Sequence, residues 1–169
     1  ESRMNRISSY LCQYKNYSEL MLAVNEILDN LTFGMEADKF ESALKNVGEL
    51  LGFVSQRPDM EIRKGPDNLW CGTNNEYAFF ECKSEVEEIR QEITKHEAGQ
   101  MNNHSAWFEK EYGSNVFVDR YMLIPTKNLS YSGDFTHPVR IIRREKLKNF
   151  KESIKGFLKE LSSYSLNDI

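Results

Sequence analysis

The chain has 169 residues, 40% hydrophobic and 28% charged, the size of one domain able to bury a core without disulfide or metal staples. A formal net charge of −4 with a pI near 5.5 excludes the global basic signature of nucleic-acid binding and weighs against a nuclease, and no apolar run reaches membrane-spanning length. Cys12, Cys71 and Cys82 are odd in number and lack Cys-x-x-Cys spacing, which argues against a disulfide framework and a zinc site and for a reducing, cytoplasmic compartment.

The chain opens at Glu1 with neither a methionine nor a charged-then-apolar leader, so it reads as a piece of something longer without a signal peptide. Leu20, Val24, Ile27, Leu28 and Leu31 recur at helical spacing after Ser18, which predicts a helix over 18–31 with Ser18 as N-cap. Phe40, Leu44, Val47 and Leu51 stripe a second predicted helix over 35–51, closed by Gly52. Phe53 to Arg57 reads as a short strand stopped by Pro58, and Met60 to Arg63 as a second extended piece before Gly65-Pro66. Asp67–Cys71 and Tyr77–Lys83, rich in Trp, Phe and Tyr, flank the turn residues Gly72 to Asn75 and predict a hairpin.

Ser84 and Glu87 have capping-box spacing, so Ile89, Ile93, His96, Gln100 and His104 are read along one polar helix reaching Tyr112, weakened at Gly99. A strand over 115–125 ends at Pro125, a loop covers 126–137, and Val139 to Ile142 is a further short strand. The closing helix, near 144–162, carries Leu147, Phe150, Ile154, Phe157, Leu158 and Leu161 on one face. Its other face is basic, and from Pro138 to Lys155 the residues Arg140, Arg143, Arg144, Lys146, Lys148, Lys151 and Lys155 stand against Glu145 and Glu152 alone.

Chemistry concentrates at the hairpin. Alternate strand residues share a face, so Glu81 and Lys83 lie side by side while Cys82 points away. Asp67 opens the preceding strand, and hairpin pairing sets its carboxylate across from Glu81. Two carboxylates this close repel unless a cation joins them, and hard oxygen ligands suit magnesium. Asp67, Glu81 and the Cys82 backbone carbonyl suffice for an ion that keeps most of its waters. Lys83 would orient a water or stabilise developing charge, which points to phosphodiester hydrolysis. A turn aspartate and an exposed salt bridge account for each residue singly; an acid pair on a buried strand requires a partner.

Pro66-Asp67 followed at ordinary spacing by Glu81-Cys82-Lys83 resembles the PD-(D/E)XK nucleases, the restriction-endonuclease-like superfamily. The likeness extends to Leu51-Gly52-Phe53, to Arg57-Pro58 and to Gly65-Pro66-Asp67-Asn68-Leu69-Trp70, and the chain resembles nuclease domains appended to bacterial helicase-like and defence proteins. It covers about residues 35 to 155. The resemblance implies an α/β (α+β) fold with an αβββαβ core, a mixed central sheet flanked by helices. Residues 1–34 would be an N-terminal helical extension and 35–169 the nuclease-like domain. It implies DNA cleavage dependent on Mg2+, with Mn2+ as a substitute, inside a larger DNA-processing or anti-phage defence protein. DNA is the implied partner, joined by a helicase or ATPase domain in the same chain or complex; a homo-oligomer is compatible.

By the same resemblance Glu41 on the first core helix adds a metal ligand, with Glu36 and Glu49 as rivals, and Gln100 or Lys95 supplements the site. Arg57, Arg63, Lys64 and Lys95 would meet the DNA backbone. Pro58-Asp59 competes with Pro66-Asp67 but falls in an expected turn. His96, Gln100 and His104 at i, i+4 and i+8 read as a polar helix face rather than a zinc site. Trp70 and Trp107 read as packing aromatics. No phosphate-cradling loop, nucleophile elbow or dinucleotide fingerprint is present, which excludes kinase, serine-hydrolase and NAD-enzyme readings. The alternative function is a catalytically weak or inactive nuclease-like domain used for DNA binding or partner docking; an RNA-directed nuclease is a remoter one.

Overall fold

The chain begins with a helix that hydrophobic periodicity after Ser18 does not announce. In the computed structural model, which describes residues 1–126 and 128–169, α1 (Arg3–Leu11) starts where Ser2 accepts a hydrogen bond from the Asn5 amide. Arg3 and Arg6 donate to the carbonyls of Leu51 and Gly52, satisfying backbone groups at the end of another helix. The second helix, α2 (Tyr17–Asn30), is capped by Asn16 rather than by the expected Ser18: Asn16 Oδ1 accepts from the Glu19 amide, and Glu19 accepts from the Lys15 amide. This reciprocal pair moves the start back by two residues.

The predicted second helix is α3 (Ala37–Leu50), whose buried stripe comprises Phe40, Ala43, Leu44, Val47, Gly48 and Leu50. Gly52 follows at φ +81°, and a Cβ there would lie 2.4 Å from the Arg3 carbonyl oxygen. Strand β1 (Val54–Gln56) comes next. The extended piece expected over Met60–Arg63 is instead a short helix, α4 (Pro58–Ile62), with Pro58 in its first turn. Glu61 accepts from the Arg57 amide, and Arg63 at φ 55° ends the helix. Proline pre-sets the first helical φ, and so opens this helix instead of merely closing the strand.

Strands β2 (Asn68–Cys71) and β3 (Glu76–Cys82) form the predicted hairpin. Asn74 and Asn75 both take positive φ, 57° and 60°, the pair of left-handed residues that matches a tight turn to strand twist. Ser84 does not cap a helix; its hydroxyl donates to the Met35 carbonyl, and its own carbonyl accepts from Gly34. Helix α5 (Lys95–Tyr112) therefore starts about ten residues later than expected, at a capping box of Thr94 and Glu97, and Gly99 does not interrupt it. Ile89 is exposed on the loop, and Ile93 lies on a two-residue strand, β4 (Glu92–Ile93), paired with β6 (Asn128–Leu129).

Strands β5 (Phe117–Leu123) and β7 (Arg140–Ile142) precede α6 (Arg144–Leu161) and a terminal 3-10 turn (Leu166–Asp168). The main sheet runs β1-β2-β3-β5-β7: the first three strands are antiparallel, and β3, β5 and β7 are parallel. A mixed sheet flanked by helices is the expected class. Trp70, Phe80, Cys82 and Leu123 pack on one face with residues of α1, α2, α3 and α6. Leu69, Phe79 and Met122 pack on the other with Met101 and Phe108 of α5. Alternation along β2 and β3 thus divides the core in two. No helix among the described residues is long and apolar enough to cross a membrane.

Candidate functional site

The β2–β3 register pairs Asn68 with Phe80, so the ladder extended by one residue sets Asp67 opposite Glu81. Their side chains follow the face of Leu69 and Phe79, toward α5, whereas Asn68 and Cys82 turn to the other face and meet each other, Sγ to Oδ1 at 3.5 Å. Asp67 Oδ2 accepts a 2.7 Å hydrogen bond from the Cys82 amide, which fixes the carboxylate at the end of β3.

Glu81 is buried at 2% exposure. Lys83 Nζ lies 3.8 Å from its Oε2 and donates to Gln100 Oε1 at 2.8 Å. Four residues on along α5, His104 Nε2 stands 3.0 Å from Glu81 Oε1. Glu81 Oε1 is buried beside that nitrogen and makes no hydrogen bond. Gln100 and His104 share a face one helical turn apart, so α5 covers both ends of the Glu-x-Lys pair. Sequence reasoning singled out Gln100 and passed over His104; the same i, i+4 spacing held both.

Glu41 on α3 reaches the same end of the sheet. Its Oε2 accepts from Arg57 at 2.7 Å, Arg57 also donates to Asp38 at 3.0 Å, and the Glu41 backbone carbonyl accepts from Asn68. Burial raises the Glu41 carboxyl above its usual range, Arg57 opposes this, and Glu81 adds to it. Of the rivals, Glu49 pairs with Lys45 and Glu36 is exposed before the first turn of α3. Burial, then repulsion from Glu81 and Glu41, pushes the Asp67 carboxyl up from 3.8 to about 8, against the Cys82 amide and Lys83. Burial, reinforced by the same acids, holds the Cys82 thiol well above its ordinary value.

Asp67 and Glu41, both raised by burial and by neighbouring acids, stand with Glu81 at one end of the sheet, and hard carboxylate oxygens are the donors a divalent cation prefers. Among the described residues no group of three or more His, Cys, Asp or Glu side chains is arranged to hold a metal ion. Magnesium needs no such group where one or two carboxylates and several waters complete its shell.

The backbone before Asp67 is held from α5. Gly65 sits at φ +87°, and a Cβ there would come within 2.9 Å of the Trp107 ring, so glycine lets the Gly-Pro-Asp segment pass under the indole. Asp59 of the competing Pro58-Asp59 is exposed in the first turn of α4. Of the expected backbone contacts, Arg63, Lys64 and Lys95 are exposed. Arg57 is not: at 8% exposure its guanidinium is engaged by Glu41 and Asp38. His96 is exposed in the first turn of α5. Trp70 packs between Phe53 and Phe80 in the core. A cleft of about 1140 Å³ lined by Phe53, Tyr121, Arg140 and Phe150 contains none of Asp67, Glu81 or Lys83.

Comparison of the chain with family models, with curated proteins and with solved structures returns no match.

Proposed function

We propose that the chain is a metal-dependent phosphodiesterase domain that cleaves DNA, of the PD-(D/E)XK type that its sequence resembles. The observation that carries the reading is the convergence of Asp67, Glu81 and Lys83 on one sheet face, with a buried Glu81 oxygen that makes no hydrogen bond and has only His104 beside it. Asp67, Glu81 and the Cys82 carbonyl would hold Mg2+ or Mn2+, with Glu41 as a further carboxylate. When bound, such an ion polarises a phosphoryl oxygen and acidifies a water. The chain's own residues then have separate tasks. Glu81 and Asp67 supply negative charge at a fixed point, Lys83 offers an ammonium for charge that builds on the phosphate, and Gln100 fixes the Lys83 amine through its 2.8 Å contact.

The test is incubation of supercoiled, linear and single-stranded DNA, and of RNA, with the protein in Mg2+, Mn2+ and chelator. Cleavage should require the metal and fall by about 10²–10³-fold in Lys83→Ala, the usual scale for losing one electrostatic stabiliser. Cleavage that survives chelator, or that is unchanged in Lys83→Ala and Asp67→Asn, overturns the reading.

A second reading is a nuclease-like domain that binds DNA or a partner without cutting. The hold of Arg57 on Glu41 and the net charge of −4 favour it. Calorimetric titration separates the two: no Mg2+ or Mn2+ binding supports docking, whereas binding abolished in Asp67→Ala supports catalysis.

A further inference from the structure

Strands β3, β5 and β7 are parallel and end in register, Cys82 beside Leu123 beside Ile142. The three segments that leave them are therefore neighbours along one edge of the sheet, the edge where Glu81 and Lys83 lie. Lys83 donates its amide to the Leu123 carbonyl and Ile124 donates to Ile142, which knits the three exits together. Between them lies a cavity of about 640 Å³, to which the β3 exit contributes Arg90, the β5 exit Asn128, and the start of α6 Arg143, Arg144 and Lys148. None of these four cations belongs to the site described above.

From this geometry we infer that the cavity is a subsite for a backbone phosphate of a nucleic-acid strand, formed by Arg90, Arg143, Arg144 and Lys148 at the same strand ends as the carboxylate–lysine centre. The inference rests on the phosphodiesterase reading and deepens it.

Two acids line the cavity, Glu88 and Glu145, leaving cations in excess. Arg144 pairs with Glu88 at 2.9 Å, but both side chains are mostly exposed, and such pairs contribute little and exchange readily. Arg90 is engaged by Glu97, and its buried Nε has no partner. Arg143 and Lys148 have no ion pair among the described residues, and both are exposed. Arg144 and Lys148 are four residues apart on α6, where like charges repel by a few tenths of a kcal/mol. In a chain of net charge −4, the unpaired Arg143 and Lys148, next to an Arg144 held only by an exposed pair, suit an anion. Arginine forks and a lysine together suit a phosphate. A nucleic-acid strand is favoured over other phosphates because the cavity shares its sheet edge with the centre that would act on a phosphodiester.

The experiment measures binding of a fluorescein-labelled oligonucleotide, single- and double-stranded, by anisotropy over a range of salt in chelator, so that no cleavage enters. Arg143→Glu/Lys148→Glu should weaken Kd at least tenfold and reduce the salt slope by about two, as expected for two lost phosphate contacts. Lys155→Glu/Lys159→Glu, the same charge change further along α6, should do neither; Arg143→Gln/Lys148→Gln should fall between. Equal effects from the two charge-reversed pairs, or none from the first, overturn the subsite. If metal-dependent cleavage persists in that case, the phosphodiesterase reading stands alone. Failure of the unmodified protein to bind any oligonucleotide overturns the subsite, and the metal-dependent cleavage assay then decides the phosphodiesterase reading by itself. Binding to phosphatidylserine vesicles or to a phosphopeptide, lost in Arg143→Glu/Lys148→Glu without oligonucleotide binding, reassigns the cavity and overturns the inference.

Discussion

His104 Nε2 lies 3.0 Å from Glu81 Oε1, closer to that carboxylate than Lys83 Nζ at 3.8 Å. The imidazole comes from α5 and the carboxylate from β3, so the helix carries two residues, Gln100 and His104, that bear on the Glu-x-Lys pair. If Glu81 holds the metal as proposed, His104, the group closest to an Oε1 that makes no hydrogen bond, would act as its positioning residue. Removing partners that orient a metal-binding carboxylate typically costs 10–100-fold in metal affinity. His104→Ala should therefore weaken Mn2+ binding about tenfold by calorimetry, with an unchanged circular dichroism spectrum, and His104→Gln should recover part of the loss. An unaltered isotherm in His104→Ala would reduce the contact to packing.

Arg57 carries a different consequence. Its guanidinium, nearly buried, joins Glu41 at 2.7 Å and Asp38 at 3.0 Å. Breaking a buried pair from one side leaves the other charge uncompensated, at about 3–5 kcal/mol in well-buried cases. Arg57→Ala should lower stability by about 2–4 kcal/mol in urea unfolding at neutral pH. Glu41→Gln in the same chain should return part of it, because the stranded carboxylate is then gone. Simple additivity in the double-mutant cycle would count against this pairing.

Helix α3 meets the sheet at a glycine. A Cβ on Gly48 would stand 2.4 Å from Trp70 Nε1 and 2.6 Å from Ser55 Oγ, so the helix approaches β1 and β2 closely only because that position has no side chain. Gly48→Ala gains up to about 1 kcal/mol in helix propensity, but overpacking costs about 1–3 kcal/mol. A net loss is expected, seen as a fall in Tm of a few degrees by calorimetry. The spectroscopic signature is a changed Trp70 environment in near-ultraviolet circular dichroism. A rise in Tm would show that Trp70 can give way at no cost.

The hairpin was legible in the sequence because its signals are local: alternating aromatics, a Gly/Asn turn, and strand parity that puts Glu81 and Lys83 on one face. Asp67 opposite Glu81 followed from the same parity. The elements missed are those whose boundaries rest on tertiary contacts. Ser84 has a capping residue's chemistry, yet its hydroxyl goes to the Met35 carbonyl on a distant turn, and Thr94 caps α5 instead. Helix α1 is fixed by Arg3 and Arg6 reaching carbonyls almost fifty residues away, which no local pattern encodes. Arg57 looked like a phosphate contact because a basic residue near an acid pair reads the same whether it faces solvent or a carboxylate.

The raised Asp67 carboxyl makes stability depend on pH in a direction opposite to that of an ordinary salt-bridged aspartate. In the folded protein without a cation the group keeps its proton up to about pH 8, whereas its ordinary value is 3.8. Between those values the folded state binds more protons than the unfolded one, so stability falls as pH rises through this window. Neutralising the group removes the dependence. Asp67→Asn retains an oxygen for the Cys82 amide, and should raise the Tm of the metal-free protein near pH 7.5 by several degrees. Near pH 4.5, where the native carboxyl is already protonated, it should have little effect. The corresponding free energy at neutral pH is on the order of 2–4 kcal/mol. Divalent-cation binding requires loss of the same proton, so Mn2+ titrations of the unmodified protein near pH 7 should release protons, detected as a buffer-dependent enthalpy, and the affinity should rise with pH up to about 8. A Tm difference between Asp67→Asn and the unmodified chain that is constant from pH 4.5 to 8.5 would show that the carboxylate is not destabilised by its neighbours.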